Sequence, residues 1–167
     1  NYDGFYAANM QVGLNGSLGL TTPATWKPLN VLSVENKLTR ANRIDLISFG
    51  VAPIIQNNLG NIYCERAITS YQGDNLIENE FSMKRTVLFL AKDLREYLEI
   101  ISIGFAGDVG RLLSIDSSAE TRLNLYLDNK YLNAWGDYQR TINGDAIDIK
   151  YFGDVVAPIN FVFVTNK

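Results

Sequence analysis

Glu80–Ile101 reads EFSMKRTVLFLAKDLREYLEII, and its periodicity decides the class of the fold. Val87, Leu90, Ala91, Leu94, Leu98 and Ile101 recur three or four apart and form one apolar stripe, the pattern of an amphipathic helix. Lys92 with Glu96 and Arg95 with Glu99 stand four apart on the polar side. Such pairs contribute on the order of a few tenths of a kcal/mol each, so burial of the stripe, not charge, holds the helix.

C-terminal to this helix, Gly104, Gly107 and Gly110 mark a loop. Asp116 or Ser117 is placed to cap a second long helix running to about Trp135, with Gly136 as its stop. Its buried side would hold Leu123, Tyr126 or Leu127, Tyr131 and Trp135. The tail is β-like. Ala146–Tyr151 alternates Ile147 and Ile149 against Asp148 and Lys150, and Gly153–Pro158 turns the chain. Ile159–Thr165 alternates again, with Ile159, Phe161 and Phe163 on one face and Val162 and Val164 on the other. One buried face does not offset the backbone entropy of ordering so short a terminal strand. The strand is therefore expected to be sandwiched, or paired on both edges. It is either a core strand of its own sheet or a strand donated to a neighbouring chain by β-augmentation.

N-terminal to the long helix, Val51–Gln56 and Asn61–Tyr71 read as strands joined by the turn Asn57-Asn58-Leu59-Gly60. In the second run Ile62, Cys64, Arg66 and Ile68 share one face; Tyr63, Glu65, Ala67 and Thr69 share the other. Both faces carry apolar bulk, so Glu65 and Arg66 each need a partner. Thr39 is an N-cap for a helix over Arg40–Phe49, with Ile44, Leu46 and Ile47 for burial and Gly50 as the stop. Thr21–Pro28, TTPATWKP, is an extended loop because of its two prolines. Asp3–Leu14 reads as a short amphipathic helix, and Gly13, Gly16 and Gly19 break it.

The chain has 167 residues, 47% of them hydrophobic and 20% charged, which is a globular composition for one domain. The formal charge of −3 argues against a nucleic-acid partner, and no apolar run is long enough for membrane insertion. There is no His, which removes His-based triads, bases and metal ligands. The single Cys64 forms no intrachain disulfide and has no imidazole to activate it, so it reads as a small core residue. The acid pairs Glu78 with Glu80, Asp93 with Glu96 and Asp145 with Asp148 read as solvated surface. Asp145, Asp148 and Asp154 lack the glycine and bidentate Glu of a calcium loop. Gly13, Gly16 and Gly19 follow a helix rather than a strand, and are a connection rather than a phosphate cradle. No catalytic residue, cofactor or metal is expected. The start at Asn1 rather than Met points to a fragment of a longer chain.

The stretch RIDLISFGVAPIIQNNLGNIYCERAITSYQ, Arg43–Gln72, resembles the C-terminal part of contractile bacteriophage tail sheath proteins, the Mu-like sheaths in particular. Three features carry the likeness. LTRANR, Leu38–Arg43, leads a capped helix that ends in Gly50-Val51. A hairpin returns on IYCERAIT with the adjacent Glu65 and Arg66, then Thr69-Ser70-Tyr71-Gln72. A long helix, Ser82–Ile101, follows a short polar stretch. The order of elements fits over Met10–Lys167, although the segment between the long helices, Gly104–Asp116, is short and the larger upstream domains are missing.

The resemblance implies an α+β fold: a mixed β-sheet packed by two or three α-helices, with a C-terminal strand open to exchange with a neighbouring subunit. It implies one inner-layer domain over residues 1–167, with a connecting helix and loop over 1–28 and an exchange arm over 155–167. The expected function is that of a structural, non-enzymatic subunit that polymerises around an inner tail tube and contracts to drive it through a cell envelope. Its partners would be neighbouring sheath subunits, the tube protein and the baseplate. Its place would be the contractile tail of a virion, assembled in the host bacterial cytoplasm. Ile159, Phe161, Val162, Phe163 and Val164 would form the arm that contacts a neighbour, and Glu65 and Arg66 would belong to a structural ion-pair network. The alternatives are another tail or virion component, such as a tube or baseplate module, and a small carboxylate-dependent hydrolase.

Overall fold

The computed structural model describes residues 4–35 and 37–160. Among the described residues, five helices and four strands run in the order α1 (Gly4–Ser17), α2 (Arg40–Ser48), β1 (Ile54–Gln56), β2 (Ile62–Cys64), α3 (Leu76–Asn79), α4 (Phe81–Ser102), α5 (Val109–Asp128), β3 (Leu132–Asn143) and β4 (Ala146–Val155). The fold class is α+β. The strands form two small antiparallel sheets, β1–β2 and β3–β4, in place of one mixed sheet. The chain divides into two compact units: Asn1–Lys84 with Ala157–Lys167, and Arg85–Val156.

In the first unit, the Thr39 hydroxyl accepts the Asn42 N–H and starts α2. Gly50, just past the helix, has φ +72°, and a Cβ there would lie 2.9 Å from the backbone of Ser70. Both the left-handed conformation and the close approach require glycine. Gly50→Ala should cost about 1–3 kcal/mol, read as a lower midpoint in urea unfolding; an unchanged midpoint would mean that the loop relaxes freely.

The hairpin turn is held by Asn57, whose Oδ1 accepts from Leu59 N and Asn61 N, and by Gly60 at φ +86°. β2 is shorter than the run Asn61–Tyr71 suggests. The TTPATWKP loop takes its free edge, with Trp26 N donating to Cys64 O and Leu29 N to Ile62 O. In the rest of that run, among the described residues, Ile68 alone forms a bridge, to Glu80. Ala24, Cys64 and Ala67 are the buried centre, and Leu14, Leu18, Ala52 and Phe81 pack on them. Ile62, Tyr63 and Cys64 are all buried, so both faces of β2 are covered.

In the second unit, Leu90, Leu94 and Leu98 of the expected stripe are buried, Val87 and Ile101 are half-buried, and Ala91 is exposed. Lys92–Glu96 and Arg95–Glu99 form wet ion pairs at 3.6 Å. The second long helix differs from the expectation at both ends. Asp108, not Asp116 or Ser117, is its cap, accepting from Arg111 N at 2.8 Å. Ile115 and Ala119 extend the buried stripe of Leu123 and Tyr126 upstream. The helix stops before Lys130, whose φ of 58° turns the chain out of the helical path. Trp135 therefore lies on β3, where Nε1 donates to Asn124 Oδ1. Register shifts at Leu132/Ala134 and Gly136/Gln139 break the alternation that would have marked β3 as a strand.

Candidate functional site

The first unit gathers its charges around the return of β2. Glu65 and Arg66 do not pair with each other. Arg43 of α2 donates through Nη1 to Glu65 Oε1 at 2.9 Å, and both side chains are about a quarter exposed. Arg66 donates through Nε at 2.9 Å and Nη2 at 2.8 Å to Oε1 of Glu80. Glu80 is 0% exposed, so its reading as solvated surface is corrected: bridged to Ile68, it is the buried residue that joins α3 to α4. Asn160 Nδ2 donates to the same oxygen at 2.9 Å. Glu78, the other member of that acid pair, bonds Lys84 near the surface. Ile159 is 86% exposed and lies in no strand. Phe161, Val162, Phe163 and Val164 lie outside the described residues.

The second unit carries two Asp–Arg–Tyr clusters that the sequence reading did not find. Asp93 of α4 accepts two bonds from Arg122 of α5, at 2.8 and 2.7 Å, and one from the Tyr126 hydroxyl. The Arg122 hydrogen bonds hold the Asp93 carboxyl below its usual range against a smaller opposing effect of burial; burial and the Asp93 bond push the Tyr126 hydroxyl up. Asp116, inside α5 rather than at its start, accepts from Arg140 at 2.7 Å and from Tyr138 at 2.9 Å, both on β3. Burial, then the Asp116 bond, raise the Tyr138 hydroxyl. Each cluster joins two elements through one carboxylate, which is the geometry of a staple. The spacing of Asp93 to Arg122 gives no sequence signal, because the pairing depends on how two helices cross.

Cys64 is wholly buried, and burial pushes its thiol up to about 11, far from a reactive thiolate. Glu96, Asp145 and Asp148 are exposed, in keeping with a solvated surface. Among the described residues no three His, Cys, Asp or Glu side chains cluster as metal ligands would. No helix among them is long and apolar enough to cross a membrane.

No family model matches the chain, and no curated protein matches its sequence. Solved structures do match. A chain of the anti-feeding prophage (AFP) baseplate, in a six-fold symmetrised reconstruction, superposes with TM-score 0.79 at 13% identity, over 96% of this chain and 48% of that one. A chain of the AFP helical sheath in the contracted state gives 0.78 at 14% identity, over 96% and 49%. A chain of the contracted sheath complex of PVC, an extracellular contractile injection system, gives 0.77 at 12% identity, over 94% and 49%. The chain thus has the fold found in contractile sheath chains, and it spans about half the length of those it matches.

Proposed function

We propose that the chain is a domain of a contractile sheath subunit, a structural protein that stacks with copies of itself around an inner tube. The observation that carries this is the likeness to chains of two contracted sheaths over 94% or more of its length. A structural role also fits the charges, which are spent on tying elements together. In this reading the partners are neighbouring subunits, the tube and the baseplate, and the site of action is a contractile tail. The likeness to a chain from a baseplate reconstruction supports a second reading, a component near the baseplate.

The tail fits the role of a donated strand. Among the described residues β3 and β4 pair only with each other, which leaves an outer edge on each. Such edges accept an added strand through main-chain hydrogen bonds. The alternating apolar residues Ile159–Val164 suit that use.

Electron microscopy of the purified protein, alone and with its tube, tests the reading. Hollow sleeves of stacked rings are the expected result; compact monomers under both conditions would overturn it. Deleting Phe161–Lys167, which keeps the Asn160 bond to Glu80, should abolish the sleeves while leaving the melting temperature of the monomer nearly unchanged. A truncated chain that melts early and aggregates would instead make the tail a core strand of its own subunit.

A further inference from the structure

Glu80 stands where separate stretches of one compact unit meet. Its N–H donates to Leu76 O and so closes α3, and α4 begins at the next residue. Its side chain is withdrawn from water, and Oε1 gathers both Arg66 donors and Asn160 Nδ2. Asn160 comes from far along the sequence. The chain leaves this unit after Lys84, builds the second unit over Arg85–Val156, and rejoins the first at Ala157. Among the described residues, Ala157–Asn160 has neither helix nor strand. The hydrogen bond that ties it back into the unit, among those residues, is the one from Asn160 to Glu80. A hydrogen bond to an ionised, buried acceptor is stronger than one at the surface, so a single bond suffices as a tether. Its position is telling: Phe161 follows immediately.

We propose that Glu80 is a positioning residue for assembly: through Asn160 it fixes the point from which the C-terminal segment leaves its own subunit, and so where that segment reaches a neighbour. This rests on the reading of the tail as a donated strand. Without the tether, the segment would have to be ordered on binding, and that entropy would weaken every contact between subunits. The tether has acceptors to spare, and at position 160 the group that donates to Glu80 is the Nδ2 amide alone. Glu80 Oε2 and Asn160 Oδ1 are both buried without a partner among the described residues.

That imbalance gives the test. Asn160→Asp keeps the size of the side chain but replaces the donor with a second carboxylate facing Glu80. It should fold, as judged by thermal unfolding, yet lower the yield of sedimentable sheath by about tenfold or more, the loss expected for one charge-assisted bond. Adding Glu80→Gln to it puts the amide at position 80 and the carboxylate at position 160, and should restore most of the yield. Should Asn160→Asp fail to fold, Asn160→Ala removes the donor without adding charge and should still reduce the yield severalfold. Normal polymerisation by the folded single variant, or no recovery in the double variant at an unchanged melting temperature, would overturn the proposal. A parallel deletion of Phe161–Lys167 separates the two ideas. If the deletion polymerises normally, the donated-strand reading falls and the proposal with it. If the deletion blocks polymerisation and Asn160→Asp does not, the proposal alone falls.

Discussion

Arg66→Ala should destabilise the protein by about 3–5 kcal/mol, the range for removing one partner of a buried ion pair. The magnitude follows from an asymmetry between the partners. Arg66 keeps 23% of its side chain in water, but Glu80 keeps none. Removing the guanidinium takes away the charge and two hydrogen bonds at once. The carboxylate left behind has only the Asn160 amide, a neutral donor, among the described residues. An uncompensated buried charge costs far more than a wet pair gains. Arg43→Ala is the internal contrast. Arg43 and Glu65 are both about a quarter exposed, so water can take over and the loss should be nearer 1 kcal/mol. Equilibrium unfolding in urea measures both. Combining Arg66→Ala with Glu80→Gln should recover much of the loss, because the orphaned charge is then removed as well. A loss below about 0.5 kcal/mol for Arg66→Ala would mean that Arg66 does not neutralise Glu80.

The same residues show what a sequence does and does not disclose. The stripe Leu90, Leu94, Leu98 and the cap at Thr39 were legible because both depend on spacing within one turn or two of helix. The turn at Asn57–Gly60 was legible for the same local reason. The need of Glu65 and Arg66 for partners could be read, since charges on a strand with two apolar faces must be compensated. Which partners they take could not. Arg43 and Glu80 come from elements that reach β2 only through the tertiary path. Glu80 read as surface because one acid beside a turn carries no mark of burial until the chain folds over it. The start of α5 was missed because Gly107 and Gly110 look like loop, while Asp108 between them is the cap. β3 was hidden by its two register shifts, and the signal that could have found it is Asn143-Gly144, a hairpin dipeptide before the recognised strand Ala146–Tyr151. The sheath likeness was drawn from Arg43–Gln72, and the solved sheath chains extend it at the level of fold to almost the whole chain, at identities too low for most single residues to transfer.

Asp93→Ala should be the most damaging polar substitution in the second unit, at about 2–4 kcal/mol. Tyr126 is 1% exposed, and its hydroxyl donates to Asp93, so truncation leaves a buried donor unpaired. Arg122 loses both its bonds but stays partly in water, which limits the cost on that side. Tyr126→Phe is the matched control: it removes the hydroxyl without stranding it and should cost about 1 kcal/mol. The pH dependence has a definite sign. The Arg122 hydrogen bonds keep the Asp93 carboxyl below its ordinary value of 3.8 in the folded protein. A carboxyl depressed on folding contributes stability above its unfolded value, and that stability is lost as pH falls through the folded value. The contribution is therefore complete at neutral pH and fades only below about pH 4. Measured between pH 7 and pH 3, the gap in stability between the parent and Asp93→Ala should narrow at the acid end. A gap that stays constant over that range would mean that Asp93 acts through packing and not through its charge, and the staple between α4 and α5 would then be apolar in origin.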